Sequence, residues 1–134
     1  MWLPVQGLVS EETYFLESSP YNTVTAPGDS LESITVTAYQ YRDNSLYTEA
    51  SRGFMPDGSI VPQLAAPGVQ IRVPQLNGLY GFSSGTSLGA AQTAGAAALL
   101  FEWAVVRGNR PFFSGSSVKN YLIRGANREE RLQY

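Results

Sequence analysis

One stretch limits what this chain can become more than any other: the run from Phe82 to Leu100 and on to about Val106. From Leu88 onward it is dense in Ala and Leu, the strongest helix formers, and it contains no proline. That predicts one helix of roughly 27 Å. The run is apolar almost all round until Glu102, so the helix calls for cover on every side and for burial in a larger body. At its start, Gly85 gives the backbone freedom for a tight approach. Thr86 and Ser87 carry the hydroxyls that favour a helix N-cap. A Ser at a helix start is most often a cap and nothing more. The same place also suits a nucleophile, because the helix dipole and free N–H groups favour the negative charge that develops in acyl transfer.

The rest of the chain reads as short strands between turns. Residues 2–5 and 13–17 have the pattern of short strands, and Ser18-Ser19-Pro20 breaks it. Pro27-Gly28-Asp29-Ser30 is a turn by composition. Ile34 to Tyr39 is β-branched and predicts a core strand. Leu46 to Ala50 alternates as a half-buried strand should. Leu64 to Ala66 and Val69 to Val73 predict two further strands, and Asn77-Gly78 is a hairpin signal. After the long helix, Gly108 suits the C′ position and Pro111 blocks continuation. Ser116 or Ser117 can cap a second helix through Arg124, with Gly125 as its stop. Val118, Tyr121 and Leu122 fall on one face of it. The charged tail from Asn127 to Tyr134 has the composition of a fraying end. Strands alternating with two helices make an α/β fold in a single unit spanning residues 1–134.

Composition removes several function classes. The chain has 134 residues, 43% of them hydrophobic, and a net charge of −2, which gives no electrostatic case for nucleic acid. Six of its nine basic residues lie from Arg107 onward, and a solvated surface accounts for them. The apolar helix is interrupted by Gln92, Thr93 and Glu102, which argues against a membrane span. No signal peptide is legible at Met1-Trp2-Leu3-Pro4. There is no Cys, hence no disulfide and no thiolate ligand, and no metal or cofactor is called for. There is also no His. A Ser nucleophile needs a base to take its proton and a carboxylate to orient that base. Asp29, Asp43 and Asp57 lie in turn-like sequences with no imidazole to orient.

Three segments carry a family resemblance. Gly85-Thr86-Ser87, with Ala90-Ala91 and Ala94 to Leu100 after it, resembles the nucleophile segment of subtilisin-like serine proteases, Gly-Thr-Ser-Met-Ala-x-Pro-His-Val-Ala-Gly. Leu88-Gly89, Ala91 and Gln92-Thr93 depart from that pattern at positions that do not carry the reaction. Val61 to Val69 is similar to the family's Lys-Pro-Asp-(apolar)-x-Ala-Pro-Gly-Val, with Gln63 where Asp is usual, an exchange expected to weaken a structural contact. Thr23 to Gly28 and the strand after it resemble the Thr-Val-x-x-Pro turn that lines the pocket for the substrate residue before the cut. Trp2-Leu3-Pro4, Ser51 to Phe54, Phe101 to Asn109 and Lys119 to Ala126 look like subtilases of clostridia, a group that includes spore-germination proteases.

The resemblance implies a parallel-sheet core around a buried nucleophile helix, incomplete on its N-terminal side. It implies a Ser nucleophile, Ser87, and a substrate pocket built by Thr25, Pro27, Gly28 and Thr86. In this family the order is Asp, His, Ser, so the resemblance places the Asp, the His and the oxyanion-hole Asn upstream of residue 1. The chain is then the C-terminal portion of a catalytic domain that hydrolyses peptide bonds, inactive by itself. Its partners are a protein or peptide substrate and the missing N-terminal part, with neither nucleic acid nor membrane. A bacterial, cytoplasmic or spore-associated setting follows more readily than secretion. Two other readings stay open: a non-catalytic relative that acts by binding, and a fragment that folds only with a partner piece.

Overall fold

The computed structural model describes residues 9–10, 12–55 and 57–128. The strand expected at 2–5 and most of the charged tail lie outside them. Strand β1 (Val36–Tyr39) pairs in parallel with β2 (Leu64–Pro67), in a register that sets Ala38 beside Ala66. Strand β3 (Ile71–Pro74) pairs antiparallel with β4 (Tyr80–Ser83). The hairpin turn lies where Asn77-Gly78 predicts it, and both residues take positive φ, at 61° and 72°. Helix α1 (Thr86–Phe101) follows and runs into a π turn over Glu102–Val106. Helix α2 (Gly115–Gly125) closes the order.

The parallel pair is stitched to the chain before and after it. Gln63 and Thr35 exchange two bonds: Gln63 N–H donates to Thr35 O at 3.0 Å, and Gln63 Oε1 accepts from Thr35 N at 2.8 Å. The exchange of Asp for Gln therefore leaves a well-formed contact here. Lys119 Nζ donates to Leu31 O and Ser33 O, both at 2.8 Å, and so ties α2 to the approach to β1. The core gathers around Ala104, Phe113 and Val118, with Ile34, Ala97, Leu100 and Leu122 packed against them. Phe113 meets Phe101 and Tyr121 edge-on, at ring distances of 5.6 and 5.4 Å.

The structure corrects several expectations. Residues 13–17 are exposed and form no strand. Leu46 makes a single antiparallel bridge to Tyr39, and Leu46 to Ala50 is otherwise irregular. Ala50 is buried, but no ladder runs through it. The N-cap of α1 is Gly85, with no side-chain cap, so Thr86 and Ser87 are the first two helical residues. The N-cap of α2 is Ser114, whose Oγ accepts from Ser117 N at 3.3 Å, and not Ser116 or Ser117.

Helix α1 differs most from its expected state. Its covered stripe is Gly89, Thr93, Ala97 and Leu100, at helical spacing, facing β1, β2 and α2. The opposite face, Ser87, Ala91, Ala94 and Ala98, is exposed. Two strands and one short helix cover one side of a helix that is apolar on all sides. From Thr86 to Val106 its 21 residues are long and apolar enough to cross a membrane by length and composition, although its inner stripe packs on a sheet.

Candidate active site

The start of α1 is fixed by close approach of backbones. Gly85 N donates to Gly68 O at 2.8 Å, and Gln70 N donates to Ser84 Oγ at 3.0 Å. These two bonds bind the turn after β2 to the turn before α1. A Cβ on Gly68 would lie 2.6 Å from Ala38 Cβ and 2.8 Å from Gly85 O, so only glycine fits there. One turn into the helix, a Cβ on Gly89 would lie 3.1 Å from Thr37 O and 3.4 Å from Ala66 O. The helix thus sits directly on the carbonyls of the parallel pair.

Ser87 is exposed at this anchored end. Among the described residues its hydroxyl has no hydrogen-bond partner, and the N–H groups of Thr86 and Ser87 have no acceptor. Leu88 N already bonds Gly85 O at 3.1 Å. The first turn therefore presents a free hydroxyl and open N–H donors at the positive end of a long helix. That arrangement can stabilise an oxygen that gains negative charge.

Next to it lies a cavity of about 180 Å³ lined by Val24, Thr25, Gly28, Thr35, Val36, Thr37, Ser51, Pro62 and Thr86. It brings together three of the four residues expected to form the substrate pocket: Thr25, Gly28 and Thr86. Pro27 is exposed and does not line it. Its carbonyl instead accepts from Ser30 N at 3.1 Å within the turn. That turn is closed by Gly28 N to Thr25 O at 2.8 Å and held to the strand by Thr35 Oγ1 to Gly28 O at 2.5 Å. The other wall is fixed by Thr23 N to Arg52 O at 3.0 Å and Arg52 N to Thr23 Oγ1 at 2.9 Å.

Sequence reading did not single out Thr35, Thr37, Ser51 or Pro62 as lining residues. The β-branched run from Ile34 announces a strand, and a strand pattern carries no signal of which turn its side chains will face. Thr37 is 3% exposed, and its Oγ1 has no partner. No ionisable side chain lines the cavity, so whatever it holds is selected by shape and by hydroxyl groups. Among the described residues no group of three acidic, His or Cys side chains could hold a metal.

No curated protein matches the chain. Among solved structures, the CspB protease of Clostridium perfringens superposes with a TM-score of 0.85 at 39% sequence identity. That match covers 91% of this chain and 26% of the CspB protease chain, so the chain spans about a quarter of the relative's length. The model of the Subtilase family, Peptidase_S8, matches residues 16–133. The strand pair, the glycine-seated helix and the matched residues lead to one assignment: the chain belongs to the subtilase family of peptidases.

Proposed function

We propose that this chain is the C-terminal, Ser-bearing portion of a subtilase catalytic domain, working in a serine endopeptidase. The observation that carries the reading is the position of Ser87. It stands free on the open first turn of α1, one residue beyond Thr86, which lines the cavity together with Thr25 and Gly28. In this reading Ser87 Oγ attacks the scissile carbonyl, and its own backbone N–H helps to hold the oxyanion. The cavity takes the side chain of the substrate residue before the cut. The base and its orienting carboxylate come from outside residues 1–134, because the chain contains no His.

Two measurements test it. The isolated chain, assayed on a peptide ester beside Ser87→Ala, should show no turnover that depends on Ser87. In a protein that also carries the Asp- and His-bearing part, Ser87→Ala should cost roughly 10⁶ in kcat, the magnitude known for the nucleophile of a subtilisin itself. A fluorophosphonate should label that protein and not its Ala variant. Equal labelling, or undiminished hydrolysis by the Ala variant, would reject Ser87 as the nucleophile; neither labelling nor hydrolysis by either protein would favour a subtilase-like protein that acts by binding.

A further inference from the structure

Of the basic residues from Arg107 onward, two make contacts within the chain. Arg107 pairs with Glu102 at 2.8 Å, and Lys119 donates to the carbonyls of Leu31 and Ser33. Arg110 and Arg124 behave differently. Both line one cavity of about 590 Å³ over α2, together with Ser117, Asn120, Tyr121 and Gly125. No acidic side chain lines it, and among the described residues neither guanidinium has a carboxylate partner. Ser117, Asn120, Tyr121 and Arg124 recur at helical spacing and share one face of α2. Arg110 comes from the loop before α2. Its backbone is held on both sides: its N–H donates to Ala104 O at 2.7 Å, and its carbonyl accepts from Phe113 N at 3.1 Å. Its guanidinium lies 5.9 Å from the centre of the Tyr121 ring, and that ring meets Phe113 edge-on at 5.4 Å. Arg42 and Arg72 also lie over rings, those of Tyr41 and Tyr80, so ring contact alone is no signal. The signal is a second guanidinium and a side-chain amide in the same cavity.

We infer that this cavity is a binding site for a phosphate-class dianion, either the free ion or a phosphate monoester. Charge and geometry select that class. The two guanidiniums bring two positive charges that no group lining the cavity offsets, and a dianion neutralises both. A monocarboxylate would leave one of them uncompensated. The planar fork of a guanidinium matches two oxygens of a phosphate, and the Asn120 amide adds donors for the others. The cavity is larger than a phosphate ion, so an organic group carried on the phosphate has room beside Tyr121. Arg110 is held in place by its fixed backbone and by the ring, so its side chain loses little freedom on binding. The site shares no lining residue with the cavity beside Ser87 and does not depend on the protease reading.

The test uses the full 134-residue chain, isotope-labelled for amide NMR, at a pH where phosphate is a dianion. Sodium phosphate, phenyl phosphate and, at matched ionic strength, sodium chloride are titrated in turn. Phosphate should give saturable shifts of the backbone amides of Asn120 and Arg124 and of the side-chain Nε–H of Arg110 and Arg124. Arg110→Gln and Arg124→Gln should each leave the circular dichroism unchanged and weaken binding roughly tenfold, the loss expected for one charged hydrogen-bonding partner. Arg124→Lys keeps the charge without the fork, so its affinity should lie between those of wild type and Arg124→Gln. Arg42→Gln, at an arginine outside this cavity, should change nothing. Tighter binding of phenyl phosphate than of phosphate assigns the site to a monoester; equal binding assigns it to the free ion. Three results would overturn the inference: no saturation, shifts that chloride reproduces, or saturable binding that survives in the Arg110→Gln, Arg124→Gln double variant. Glu129 and Glu130 follow in the sequence. If phosphate binds only after Glu129→Gln and Glu130→Gln, the chain's own carboxylates are the occupant, and the inference is overturned as well.

Discussion

The two ends of α1 are held by opposite means. At the N-terminal end there is almost no side chain: Gly68 and Gly89 allow the close approach of the helix to the parallel pair, and Gly85 N donates to Gly68 O. At the C-terminal end the helix is held by side-chain volume, with Ala104 and the π turn packed against Phe113, Val118 and the aromatic contacts of Tyr121. The first arrangement fixes position, because backbone atoms in contact cannot adjust by a rotamer change. The second supplies burial, and a packed cluster of that kind tolerates small shifts. The residue proposed to do chemistry sits at the end where position is fixed.

The largest test of this contrast is at the aromatic end. Phe113→Ala removes a ring that is 8% exposed and should cost about 3–5 kcal/mol in urea unfolding of the chain, by lost transfer energy and the cavity left behind. At the glycine end, Gly68→Ala should cost about 1–3 kcal/mol, because its Cβ overlaps Ala38 and the Gly85 carbonyl. It should also shift the backbone amide resonances of Gly85 to Leu88, which Phe113→Ala should leave in place. If both variants move the same resonances, the two ends are one unit and the contrast fails.

The cavity wall gives a third test of comparable free energy, read in rate. Thr25 lines the cavity with Gly28 and Thr86, and in the proposed reading its branched side chain limits the substrate residue before the cut. In the complete enzyme a peptide library should show small residues preferred before the cut over large aromatic ones by roughly 5- to 150-fold, about 1–3 kcal/mol. Thr25→Gly should erase that preference; equal cleavage after large aromatics by both proteins would remove Thr25 from the specificity account. The smallest effect has the opposite sign. A Cβ on Gly95 meets nothing within 4 Å, so Gly95→Ala should stabilise the free chain by about 0.4–1 kcal/mol in the same urea assay. Destabilisation there would show that the outer face is already covered in the free chain.

Local signals made much of this fold readable. The β-branched run before Tyr39, the Asn77-Gly78 turn and the Ala-rich helix each show the element they predict, since each is decided within a few residues. The features that were missed are decided by distant contacts. Thr86 and Ser87 look like caps by composition, yet Gly85 takes that position because its N–H is bound by Gly68 O. Leu46 to Ala50 alternates without becoming a strand, because only Leu46 finds a partner edge. Thr25, Gly28 and Thr86 could be named in advance from their motifs. Thr37 and Ser51 reach the same cavity only through the folding of turns that carry no motif. The burial expected for α1 from its composition is not met within this chain, where only one of its faces is covered.

The pair of bonds joining Gly68 to Gly85 and Gln70 to Ser84 has a consequence for how such a chain can vary over time. Everything between them, from Ile71 to Ser83, leaves the body of the molecule and returns to the same place. The hairpin is therefore an appendage clamped at its root. Lengthening a loop twofold costs only about 0.6 kcal/mol of closure entropy. Insertions, deletions or exchanged tips at Leu76–Gly78 can accumulate there while the first turn of α1 stays where it is. A lineage can rewrite what the hairpin tip touches without renegotiating the position of Ser87.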